Sequence, residues 1–298
     1  MPRGPSQGEA LATWALWGLI ALCVIATYSR IDPSETYHVS REGIAGGLSR
    51  SVTLVNFPFG LVAVALVLIA VAALPRGAWW AAVPAIGLCA TIPWFNEQKN
   101  LDAHWGNAIP ALGVVIAAVL TVAATRRAGP SLASRRPWDA ARVIIVAVVL
   151  LISLPWLSAE LGLHFPGDVF MGEEVIPEKD GTLIAAVHLG HHHGEDGALL
   201  LITALLLSRV FVETRGLRLA ITAYLGLMLS YGAVNCVQDA WNEQFVKRGW
   251  TDARIPSAIL PSASPIWLVV VALAALSTVV LLREDKGPSY SAPWRRRG

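Results

Sequence analysis

The 298-residue chain is 55% hydrophobic and only 15% charged, with a mean hydropathy of +0.55. Soluble domains carry about a quarter charged residues, so an ordinary cytosolic enzyme is excluded, as is a disordered chain. A net charge of +2, without a basic stripe interleaved with aromatics, argues against a nucleic-acid partner. Cys23, Cys89 and Cys236 all lie in apolar stretches without C-x-x-C spacing, which speaks against a disulfide framework and a thiolate metal site. The composition predicts an all-α, polytopic membrane bundle whose first partner is the lipid bilayer.

About 20 apolar residues cross a bilayer. Eight stretches approach that length: 11–28, 52–74, 78–95, 108–125, 143–159, 194–212, 219–237 and 265–282. The first follows Arg3, as a secretory leader does, yet its apolar run exceeds an ordinary signal core, so it reads as an uncleaved span. With the N-terminus inside and eight alternating spans, 15 of the 23 basic residues fall inside and 16 of the 21 acidic ones outside. That is the bias expected of a cell (inner) membrane protein with both termini and the 126–142 loop in the cytoplasm. Trp94, Trp105, Trp156, Trp241 and Trp267 then fall near the outer surface. Trp14, Trp17, Trp79, Trp80 and Trp138 fall near the inner one, as two interfacial belts.

Short segments recur at matching places. Asn96-Glu97-Gln98 and Asn242-Glu243-Gln244 are 146 residues apart, and Ile109-Pro110 recurs as Ile255-Pro256 at that offset. The H-x3-E spacing of His38–Glu42 recurs at His191–Glu195. These matches predict a 4+4 parallel internal repeat, with 1–142 the first four-helix half and 143–298 the second, inside one integrated membrane domain.

All seven histidines fall outside in this topology, so chemistry is expected there. The richest segment is His188-Leu189-Gly190-His191-His192-His193-Gly194-Glu195-Asp196. The apolar run that follows, 198–212, has 15 residues, or roughly 22 Å of helix against a core of roughly 30 Å. The sixth helix is therefore expected to run back through Asp196 and Glu195, although Gly190, Gly194 and Gly197 weigh against an unbroken helix. On a helix, His188, His192 and Asp196 share one stripe with His191 and Glu195 beside it. Imidazole and carboxylate donors suit Zn²⁺, Fe²⁺ or Mn²⁺. The expected metal ligands are His188, His191, His192 and Asp196, with His104 completing the set. Glu97 and Glu243, brought together by the repeat, are the expected acid/base pair acting on metal-bound water.

Each of these has a plainer alternative. Asp102 and His104 serve equally as caps of a polar loop, and the two Asn-Glu-Gln triplets as a hydrogen-bonded seam between halves. Three function classes follow: a metal-dependent enzyme acting on a lipid or amphiphile, a transporter or channel for a small solute or lipid, and a non-catalytic metal- or pH-sensing protein. Span centres nearly free of charge, with Asn56, Pro58 and Pro84 the exceptions, weigh against a carrier. No P-loop or dinucleotide fingerprint is present.

Overall fold

The computed structural model describes residues 4–32, 40–92, 102–163, 165–167, 169–170, 175–177, 183–185 and 193–284. These are helical apart from loops and one short antiparallel ribbon, β1 (Val175–Pro177) with β2 (Leu183–Ala185). The helices are α1 (Gly8–Tyr28), α2 (Gly43–Leu54), α3 (Gly60–Ala73), α4 (Trp79–Cys89), α5 (Ala108–Ala128), α6 (Asp139–Ile152), α7 (Leu154–Glu160), α8 (His193–Leu207), α9 (Arg215–Trp241) and α10 (Pro265–Glu284).

Five helical stretches among the described residues are long and apolar enough to cross a membrane, and six if a bent pair counts as one span. They are Gly8–Tyr28, Gly43–Ala73, Trp105–Ala128, Arg215–Val246 and Pro265–Glu284, with α6–α7 as the bent pair. The eight expected spans are thus not all met. The third and sixth correspond to α4 and α8, helices of 11 and 15 residues, short of the roughly 20 that a bilayer requires.

Two of these stretches are interrupted for identifiable reasons. Pro58 has no N–H to continue the α-helical ladder, and the chain passes through a π-helical turn, Val55–Phe59, between α2 and α3. Asn56, fully buried beside it, donates from Nδ2 to the Asn107 carbonyl at 3.0 Å and so fastens this turn to the start of α5. The second break lies at Ser153-Leu154-Pro155. Pro155 stands in the first turn of α7, and α7 departs from α6 by 66°. The Ser153 hydroxyl donates back to the Val149 carbonyl at 2.7 Å, satisfying backbone at the break.

Small residues set how closely the helices approach. A Cβ on Gly197 of α8 would stand 2.6 Å from the Gly232 carbonyl oxygen of α9, and one on Gly232 would stand 2.5 Å from that of Gly197. Gly194 and Gly197, expected to break the helix, therefore lie within α8 and form its contact face. The Gly43–Ala73 stretch is the centre of the bundle, 76% buried, whereas α10 is peripheral at 11%. Bonds cross the 142/143 boundary freely: Trp17 Nε1 donates to Thr203 Oγ1 at 3.0 Å and the Tyr224 hydroxyl to the Leu61 carbonyl at 2.7 Å.

The packing does not support the repeat. In the first half α3, α4 and α5 pack on one another, whereas in the second α9 lies between α8 and α10. Two of the tryptophans assigned to the belts face the interior. Trp17 and Trp156 are buried at 3% and 1%, because each indole N–H finds an interior acceptor.

Candidate functional site

Ionisable groups collect at the two ends of the bundle. At one end, called here the far end, lie the C-termini of α1 and α7 and the N-termini of α2 and α8. A Cβ on Gly47 of α2 would stand 2.4 Å from the Ile25 carbonyl oxygen of α1, and this close approach lets α2 lay Arg50 against Tyr28. The guanidinium sits 5.5 Å from the centre of the Tyr28 ring. Its Nη1 donates to Thr53 Oγ1 at 3.3 Å and its Nη2 to Glu160 Oε1 at 3.5 Å. The Tyr28 hydroxyl donates to the same Glu160 oxygen at 3.3 Å. Glu195, from the first turn of α8, lies beside Glu160, and Asp196 adds its field to Arg50.

All five side chains are inside the protein: Arg50 is 1% exposed, and Tyr28, Glu160, Glu195 and Asp196 are no more than 4%. Among the described residues, three carboxylates thus face one guanidinium. The surplus is of acceptors, since Glu160 Oε2 and Glu195 Oε2 are buried without a hydrogen-bond donor. Buried acceptors of this kind are costly unless a donor or cation reaches them.

A second tier holds the same end together. Glu243, 4% exposed in a π-helical turn after α9, accepts from Trp156 Nε1 at 3.2 Å and from Lys247 Nζ at 3.1 Å. Asp239 accepts the Gly194 N–H at 2.8 Å. Asn242 exchanges two bonds with the backbone of Ile255, at 3.0 and 3.1 Å.

Of the expected site residues, Asp196 lies in the cluster and Glu243 lies in the second tier. His104 starts the helical turn ahead of α5: its Nδ1 accepts from the Gly106 N–H at 3.2 Å, while Asn107 Oδ1 accepts from the His104 N–H at 2.8 Å. Asp102 accepts from the Ser40 N–H, the Ser40 hydroxyl and the Ser49 hydroxyl, pinning the start of α2 to that turn. Glu97, His188, His191 and His192 lie outside the described residues. Among the described residues no group of three or more His, Cys, Asp or Glu is arranged to hold a metal ion. Tyr28, Arg50 and Glu160 were not among the expected residues. Their signal was an arginine two residues ahead of an apolar run and a glutamate five residues after a proline inside another.

The other end carries the 129–138 loop and the N-termini of α1 and α6 with the C-termini of α8 and α10. Gln7 and Gly8 donate backbone bonds to Gly129 and Ser131. Arg142 grips Glu284 through both carboxylate oxygens, at 3.0 and 2.5 Å, and also bonds Asp139 at 3.2 Å and the Ser208 hydroxyl at 3.0 Å. Arg209 stands 3.4 Å from Asp139 and 3.5 Å from Glu9, and Arg136 donates to the Ser208 carbonyl at 2.9 Å. Two guanidiniums here meet three carboxylates, and that of Arg136 meets a backbone carbonyl.

Comparison with protein families, curated proteins and solved structures gives no match. The class defined by fold and composition is a helical bundle with apolar helices compatible with a multi-pass membrane protein.

Proposed function

We propose that this protein is a multi-pass membrane carrier that takes a small cation at the Arg50–Glu160–Glu195 cluster. The observation carrying this reading is the break at Ser153-Leu154-Pro155, which turns α7 by 66° and sets Glu160 against Arg50 and Glu195 in the interior. Interrupted spans that end on buried ionisable side chains are how carriers build a site within the bilayer. Arg50 fixes Glu160, and the two donor-less oxygens are acceptors that a bound cation would satisfy.

The test is charge displacement. Purified protein in liposomes on a solid-supported electrode receives concentration jumps of sodium, potassium and methylammonium at constant pH. A saturable transient current is expected for at least one of them, lost in Glu195→Gln and Glu160→Gln while circular dichroism stays unchanged. No transient for any cation would overturn the reading.

A second reading has its own support: Glu195 and Asp196 follow the His188–His193 run after Gly194 in sequence and are buried. Here His188, His191, His192 and Asp196 hold zinc, iron or manganese on the outer side, with Glu97 or Glu243 as acid/base toward a lipid or other amphiphile. Stoichiometric metal in the purified protein, lost in His191→Ala/His192→Ala, would favour it; metal-free protein would sink it.

A further inference from the structure

A cavity of about 340 Å³ opens at the basic-loop end, bounded by Ser6 and Glu9 of the N-terminal segment, Ser134 and Arg136 of the 129–138 loop, and Arg209 and Phe211 past α8. That volume lies at the lower end of small-molecule sites. We propose that it binds the phosphate headgroup of an anionic membrane lipid. The inference rests on the membrane placement of the bundle and is independent of the carrier reading.

Donors and charge argue for an anion. Arg209 Nε is buried and makes no hydrogen bond. The carboxylate oxygen nearest to Nε, Glu9 Oε1, stands at 3.5 Å and already accepts the Ala133 N–H at 2.8 Å, while Nη2 pairs with Asp139 at 3.4 Å. The guanidinium is held in place from its other side, where Nη2 donates to the Ala133 carbonyl at 2.9 Å. Arg136 adds a second guanidinium to the wall. Arg142, the arginine that grips α10, is taken up by Glu284, Asp139 and Ser208 and contributes nothing to the cavity. Forked guanidiniums match phosphate oxygens in pairs.

Apolar surface argues for a lipid over a free ion. Pro5, Val210 and Phe211 line the same cavity, and it sits where spans end against the basic loop, at the depth of headgroups in the leaflet on that side. An inorganic phosphate would leave that wall unfilled; a glycerophosphate group with the start of its acyl chains covers it.

Native mass spectrometry and thermal melting in neutral detergent, with phosphatidylglycerol, phosphatidylcholine and inorganic phosphate in parallel, provide the test. Phosphatidylglycerol is expected to remain bound and to raise the melting midpoint by several degrees, and the other two to do neither. Arg209→Gln/Arg136→Gln should weaken phosphatidylglycerol at least tenfold. Ser134→Trp, at an exposed position on the cavity wall, should block it while leaving every ion pair intact, which keeps the test valid if the arginine variant folds poorly. Arg126→Gln/Arg127→Gln, exposed charges at the same end but outside the cavity, should leave binding unchanged. Equal loss in that control would reduce the effect to diffuse surface attraction and overturn the proposal. Binding of inorganic phosphate as tight as that of the lipid would overturn it too, as would full phosphatidylglycerol binding by Ser134→Trp.

Discussion

The two ends of the bundle use the same side chains to different effect. At the basic-loop end, Arg142 and Arg209 pair with Glu9, Asp139 and Glu284, while Arg136 reaches the Ser208 carbonyl. At the far end, Arg50 faces Glu160, with Glu195 and Asp196 close by. Exposure differs as well: Arg209 is 24% exposed and Asp139 16%, whereas the Arg50 and Glu160 side chains are at 1% and 5%. A balanced, partly wet network suits a clasp that holds helix ends together. An unbalanced, dry one keeps capacity for a further positive group.

The sharpest way to break this contrast is Arg50→Met. It leaves buried carboxylates without their cation, and a loss of about 3–5 kcal/mol is expected, read as a collapse of the melting midpoint in fluorescence-detected size-exclusion chromatography. Adding Glu160→Leu should restore more than half of that loss, since apolar replacement of a whole buried pair is tolerated. Simple additivity of the two changes would dissolve the far-end network as a unit. At the other end, Glu284→Gln should cost less, about 2 kcal/mol for a weakened charged hydrogen bond, measured in the same assay.

Gly232→Ala tests the seam that joins the two ends, with an expected cost of about 1–2 kcal/mol as α8 and α9 are pushed apart; an unchanged midpoint would contradict the 2.5 Å approach. The smallest effect is expected for Lys247→Ala, below about 1 kcal/mol, because Lys247 is 31% exposed. Raising sodium chloride to about 0.5 M should likewise weaken the Arg209–Glu9 contact and leave Arg50–Glu160 nearly untouched, visible as a salt-sensitive midpoint that Arg209→Gln abolishes.

Composition and periodic apolarity made the helical, membrane-compatible class legible. Boundaries were harder, for physical reasons. The second span reads from residue 52 because Arg50 and the small polar residues Ser49 and Ser51 interrupt hydropathy. Yet the helix starts at Gly43, since Gly46 and Gly47 pack on α1 and bury Arg50. The fifth span reads as one run, although Pro155 divides it. Burial of Asp196 and Glu195 followed from the shortness of the apolar run behind them. Arg50 and Glu160, by contrast, meet across 110 residues of chain, a juxtaposition that no local pattern encodes. His104 is a case of opposite kind: its cap with Asn107 is a three-residue motif, one of two roles its sequence allowed.

The peripheral place of α10 has a consequence for how the bilayer acts on this protein. At 20 residues it measures about 30 Å, close to the hydrocarbon thickness of an average membrane, and about half of its residues are exposed. Hydrophobic mismatch therefore falls on α10 first, while the enclosed second span is shielded from it. Because Glu284 closes α10 and is gripped by Arg142, a thinner bilayer that tilts the helix pulls directly on that grip, and lipid chain length becomes a mechanical load on the basic-loop end.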